Sequence, residues 1–142
     1  MDRQTSSCHI RVAISPGELL DKISILKIKQ ERIADVDKLA HVNRELAELT
    51  SARDQHLAAE ASLLDGLAGE LKVVNEALWD IEDAIRDCEA RAQFDHTFVA
   101  LARSVYQTND RRAAIKREIN QRTRTPFAEV KAYASYHAAE NR

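Results

Sequence analysis

Apolar residues recur through most of this chain at alternating steps of three and four, the spacing that lines one face of a helix. The longest run is Leu64, Leu67, Leu71, Val74, Leu78, Ile81, Ile85 and Cys88. A shorter one, Leu39, Val42, Leu46 and Leu49, fades through Arg53 and His56 before Leu57. The two runs predict a second and a third helix paired as a long antiparallel hairpin or coiled-coil pair. The turn between them is expected near Asp65 and Gly66, with a further weak point at Gly69.

Upstream, Ser15-Pro16-Gly17-Glu18 is a strong helix start. Ser15 can cap, Pro16 suits the first helical position and Glu18 completes a capping box. The first helix then runs to about Ile33, with Leu19, Ile23 and Leu26 on one face and Ile25 and Ile28 on another. A helix with two apolar faces is covered from two sides, as the centre of a bundle or as part of a dimer interface. Residues 9–14 alternate weakly and fit a short strand or an irregular extended segment equally well. Asp35 can cap the second helix and Asp95 a fourth, whose seam carries Phe94, Phe98, Leu101 and Val105. Thr108-Asn109-Asp110 reads as a break and fresh cap before Ile115 and Ile119 resume the stripe. Pro126 ends it, and residues 127–136 fit a short terminal helix.

Composition sharpens the fold class. Three Gly and two Pro in 142 residues cannot turn the corners of a sandwich or barrel, whereas 31% charged residues and abundant Ala and Leu suit long helices. The expectation is one all-α domain over residues 1–142, a bundle of about four helices with frayed ends at 1–9 and 137–142. No run approaches the roughly 18 apolar residues of a membrane span, and residues 1–10 lack the apolar core of a signal peptide. No membrane insertion is expected, and the cytoplasm is the expected compartment. Cys8 and Cys88 form no C-x-x-C pair and are expected to be free thiols, with Cys88 packed on the seam.

The net charge of -2 conceals an asymmetry. Residues 35–95 hold 15 acidic against 6 basic side chains, and residues 103–124 hold 7 basic against 2 acidic. Two surfaces of opposite sign attract each other within a chain or between chains. The acidic hairpin would repel a phosphate backbone over most of the surface, so no nucleic-acid partner is expected.

Three segments carry a resemblance. They are Gly17-Glu18-Leu19-Leu20-Asp21-Lys22-Ile23-Ser24-Ile25-Leu26, then Leu78-Trp79-Asp80-Ile81-Glu82-Asp83, then Val105-Tyr106-Gln107-Thr108-Asn109-Asp110-Arg111-Arg112 with Ile115-Lys116. In this order they resemble an uncharacterised family of small helical proteins of bacteria and phages, domain of unknown function 6165, over roughly residues 10–136. The resemblance implies a small helical bacterial protein with no assigned activity. It also suggests a connection with surface-polysaccharide or glycosyltransferase systems.

Catalytic templates mostly fail. None of His9, His41, His56, His96 and His137 has Glu three positions before it, which excludes the Glu-x-x-His pairs of di-iron bundles. The isolated glycines build no phosphate loop. One template is a near miss: all-α nucleoside triphosphate pyrophosphohydrolases hold Mg²⁺ between Glu-x-x-Glu and Glu-x-x-Asp on adjacent helices. Glu45 and Glu48 supply the first half, and Asp80 with Asp83 approximates the second. An enzyme of that kind, using the acidic stripe of the third helix and the basic fourth helix, is the alternative reading, with Mg²⁺ as its cofactor. The main reading needs no cofactor.

Two anomalies mark a candidate polar cluster. Glu76, Asp80, Asp83 and Asp87 line one face of the third helix, where like charges repel unless a basic helix or a cation complements them. Arg112 falls on the seam of the fourth helix, and if it faces inward it needs a carboxylate from Glu18, Asp21, Asp80 or Asp83. Arg111 and Lys116 carry the same sign beside it, and Trp79 is expected to pack under the first or fourth helix. With Lys22, Asn109 and Asp110 from the same motifs, these residues form the candidate site. The expected function is a non-catalytic oligomerisation or adaptor module, whose partners are a second copy and another protein. Its expected interface holds Ile25, Ile28, Leu49 and Leu57.

Overall fold

A computed structural model describes residues 8–136 as four α-helices and one short 3-10 turn, in the order α1 (Pro16–Arg32), α2 (Val36–His56), the turn (Ala58–Glu60), α3 (Ala61–Ala90) and α4 (His96–Thr123). The fold is an all-α bundle. No strand occurs among the described residues, and residues 9–14 run exposed and irregular into α1. The fraying expected at residues 1–7 and 137–142 lies outside the described residues.

Helix starts follow local capping chemistry. Ser15 Oγ accepts from the Glu18 amide at 3.1 Å, and Pro16 opens α1. Asp35 accepts from the Lys38 amide, and Asp95 accepts from those of Thr97 and Phe98. Each satisfies amides that the first turn leaves without a helical partner. The α3–α4 turn is tight, with Ala92 in the left-handed region at φ 50°.

The expected pairing of the second and third helices is corrected. The long hairpin is α3 with α4, and α2 packs along α1 rather than along α3. Gly66 and Gly69 lie inside α3, while the chain breaks earlier, between Leu57 and Glu60. Two isolated glycines cost a helix about 1 kcal/mol each, which the buried Leu64, Leu67 and Leu71 outweigh. α4 likewise runs unbroken through Thr108-Asn109-Asp110. Residues 125–136 form no helix; they fold back along α4 as an irregular strap.

α1 is the centre, touching α2, α3 and α4. Its two apolar faces answer to this position: Leu19, Leu20 and Ile23 join Leu57, Leu64, Leu67, Leu71 and Ile119 in one core, and Ile28 is 1% exposed. Ile28 and Leu57 are therefore interior residues, and Leu49 packs against the core, so the interface expected at those positions is not a free surface. Among the described residues no helix is long and apolar enough to cross a membrane.

Candidate functional site

Asp21 sits one turn into α1, 1% exposed, and a carboxylate that deep needs full compensation. Arg112 of α4 supplies most of it. Its Nε donates to Oδ1 at 2.9 Å and its Nη2 to Oδ2 at 2.5 Å, a bidentate pair. Asn75 of α3 donates from Nδ2 to the same Oδ1 at 2.9 Å and to Ser24 Oγ at 2.8 Å. Ser24 Oγ in turn donates to the Asp21 carbonyl at 2.7 Å. Three helices thus meet at one buried carboxylate. The hydrogen bonds to Asp21 hold the Arg112 guanidinium above its ordinary pKa despite partial burial.

One turn further along α4, Lys116 is 8% exposed and reaches Glu18 at 2.9 Å and Glu129 of the strap at 3.3 Å. Burial pulls its pKa down, but the Glu18 hydrogen bond and the nearby carboxylates overcome that, and the net shift is upward. A further turn on, Asn120 accepts the Gly17 amide through Oδ1 at 2.8 Å. A Cβ on Gly17 would stand 2.7 Å from the Lys116 carbonyl oxygen, so α1 and α4 cross there with backbone nearly touching backbone.

Beside this cluster lies a pocket of about 550 Å³ between α4 and the strap. Arg112, Lys116, Asn109 and Tyr106 line it from α4, and Glu129, Lys131 and Tyr133 from the strap. The strap is also tied down where Lys131 pairs with Asp110 and where the Tyr136 ring meets Tyr106 at 5.1 Å.

Among the expected site residues, Glu18, Asp21, Arg112 and Lys116 come together, with Asn109 and Asp110 at their margin. Lys22 and Arg111 are exposed. Asp80 and Asp83 do not join the basic residues of α4, which corrects the single cluster expected of them. The acidic stripe is complemented elsewhere: Arg32 of α1 pairs with Asp80 at 2.6 Å and lies 3.9 Å from Glu76, whose nearer partner is Lys72 of α3 at 3.4 Å. Asp87 pairs with Arg91 on its own helix. The reason is register, since α1 runs beside α3 and ends level with Asp80. Trp79 is half-buried under the end of α1, with the Arg32 guanidinium 5.7 Å from its ring centre. Glu45 and Glu48 lie exposed on α2, which does not pack along α3, so they form no common site with Asp80 and Asp83. Among the described residues no group of three or more His, Cys, Asp or Glu is arranged to hold a metal ion.

Sequence reasoning missed Ser24, Asn75, Asn120 and Glu129. Asn75 lies four residues after Leu71, and Asn120 four after Lys116; an amide at a seam position was the available signal. A family model described as a family of unknown function (DUF6165) matches residues 10–140. The chain belongs to this family. No curated protein and no solved structure matches it. The DUF6165 match spans α1 to the strap, and so takes in every residue of the Asp21 cluster.

Proposed function

We propose that the chain is a non-catalytic helical module that assembles with a second copy of itself and presents a surface to another protein. The setting would be the surface-polysaccharide or glycosyltransferase systems that the family resemblance suggests. One observation carries the reading. α1 ends where Arg32 meets Asp80, while α3 continues for ten residues to Ala90 and α4 returns from His96, so an arm of about 15 Å outruns its cover. Along it Ile81, Ile85, Phe98 and Leu101 are only half-buried, and Phe94 and Val99 are 57% and 51% exposed. An unpartnered apolar strip of this kind marks an association surface.

Charge favours a second copy in antiparallel register. On the arm Glu82 and Asp87 pair with Arg86 and Arg91 of the same helix, which leaves Asp83 and Glu89 as its acidic excess, and Arg103, Arg111 and Arg117 are exposed further along α4. An acidic tip set against the partner's basic flank satisfies both. The Mg²⁺-dependent enzyme has no such support, because its carboxylates do not converge.

Sedimentation equilibrium across the micromolar range tests this. A dimer is expected for the native chain and a monomer for Phe94→Glu with Val99→Glu, exposed positions at which folding is retained. A native chain that stays at 16.0 kDa overturns the proposal.

A further inference from the structure

α2 and α3 both pack along α1 but not along each other, and between them over one flank of α1 runs a groove holding a pocket of about 630 Å³. The buried Leu20 and Ile23 of α1, Leu57 at the end of α2 and Leu64 of α3 form its floor. Its α3 wall is built from short side chains, Ala61, Ala68 and Gly69, and a Cβ at Gly69 would meet no atom within 4 Å. Longer residues at those positions would take up the room between the helices. α1 and α3 run in the same direction, since Asp21 meets Asn75 and Arg32 meets Asp80. The pocket therefore extends from Ala61 to Lys27 and Lys72 at its far end, eleven residues along α3 or about 16 Å. It is longer than it is wide.

We propose that this pocket binds an uncharged compound with a single alkyl chain, laid along the groove between α2 and α3. The volume is that of a small-molecule site, and the apolar floor rewards burial of methylenes. An extended chain of about ten to twelve carbons, with bonds of about 1.5 Å, spans the length from Ala61 to Lys72. Charge points to a neutral ligand. Arg53 at the rim pairs with Asp54 at 3.1 Å, and Lys72 with Glu31 at 3.0 Å and Glu76 at 3.4 Å. Lys27 and Asp65 line the pocket without an ion pair, but they are of opposite sign, so the rim has no clear excess that would select an ionic ligand. Ser24 at the floor spends its hydroxyl on the Asp21 carbonyl and on Asn75, and asks nothing of a ligand. The pocket lies on residues 20–72, apart from the arm at 81–101 on which self-association rests.

Isothermal titration of the full chain with 1-hexanol, 1-octanol and 1-decanol tests the proposal. Saturable binding is expected, tightening roughly threefold for each added methylene as the chain fills more of the groove. Gly69→Leu places a side chain in the pocket and should weaken 1-decanol by about tenfold or more while the helix gains propensity. Gly66→Leu makes the same exchange one turn earlier, where the residue does not line the pocket, and should bind like the native chain. Should Gly69→Leu not fold, Ala61→Leu, exposed at the start of α3 and lining the pocket, serves instead. The absence of saturable binding to the native chain overturns the proposal, as does equal affinity in Gly66→Leu and Gly69→Leu. An affinity for decanoate or decylammonium above that for 1-decanol overturns the assignment of an uncharged ligand.

Discussion

Arg112 closes two hydrogen bonds on Asp21 across 91 residues of sequence, and Asp21 has almost no contact with solvent. The pair joins the first helix to the last, and Asn75 brings in the third. A buried pair adds little over an apolar one of the same shape, but breaking it strands a charge. Its value to this fold is register: the two bonds, with Gly17 and Asn120 on one side, allow α1 a single height and rotation against α4.

Loss of Arg112 should therefore be expensive. Arg112→Ala is expected to destabilise by about 3–5 kcal/mol in urea unfolding, and Arg112→Glu by at least as much. Arg111→Ala, on the exposed side of the same helix, should stay within about 0.5 kcal/mol. A cycle with Asp21→Asn should show a coupling energy of roughly 0.5–3 kcal/mol. Equal effects at Arg111 and Arg112 would contradict the buried pairing.

Gly17 is the tightest point of the α1–α4 crossing. Its added Cβ in Gly17→Ala would meet the Lys116 carbonyl oxygen at 2.7 Å and Asn120 Oδ1 at 2.8 Å. The expected loss is about 1–3 kcal/mol, since one of those neighbours is backbone and cannot swing aside. Gly66→Ala and Gly69→Ala have open space around the new methyl and should stabilise by up to about 1 kcal/mol. Thermal unfolding of the three variants, with opposite signs expected, is the check.

The pH dependence on the alkaline side should carry the mark of Lys116. Its native pKa lies above the ordinary 10.5, so the native state holds the proton more tightly than the unfolded chain. Its contribution is complete below 10.5 and is lost as pH rises through the native value. Unfolding free energy should fall more steeply above pH 10.5 in the native chain than in Lys116→Met. Parallel curves would show that Lys116 is not held as described.

The two thiols should separate cleanly by rate. Cys8 is exposed and Cys88 is 2% exposed between α3 and α4. A thiol reagent should modify Cys8 at once and Cys88 only on unfolding, so titration of Cys8→Ser should give no fast phase. Rapid labelling of Cys88 would mean that the tip of the hairpin opens readily.

What the chain determines by itself is local. Ser15, Asp35 and Asp95 cap their helices from within four residues, and the three-four spacing of Leu64 to Cys88 produces a single long helix because neighbours on that face are set by helical geometry alone. Arg112 on an apolar seam likewise signalled, without any partner in view, that a carboxylate would be needed beside it if it faced inward. Which carboxylate it was, and which helices pair, only the tertiary structure decided. Asp21 and Asp80 are equally acidic in sequence; α1 runs beside α3 and ends level with Asp80, which gives Asp80 to Arg32 and leaves Asp21 for Arg112. α2 and α3 carry matching stripes, yet α1 has two apolar faces and lies between them and α4, so each stripe finds α1 before the other. Helical periodicity says which face of a helix is buried, but the partner on that face is chosen by packing the whole set at once.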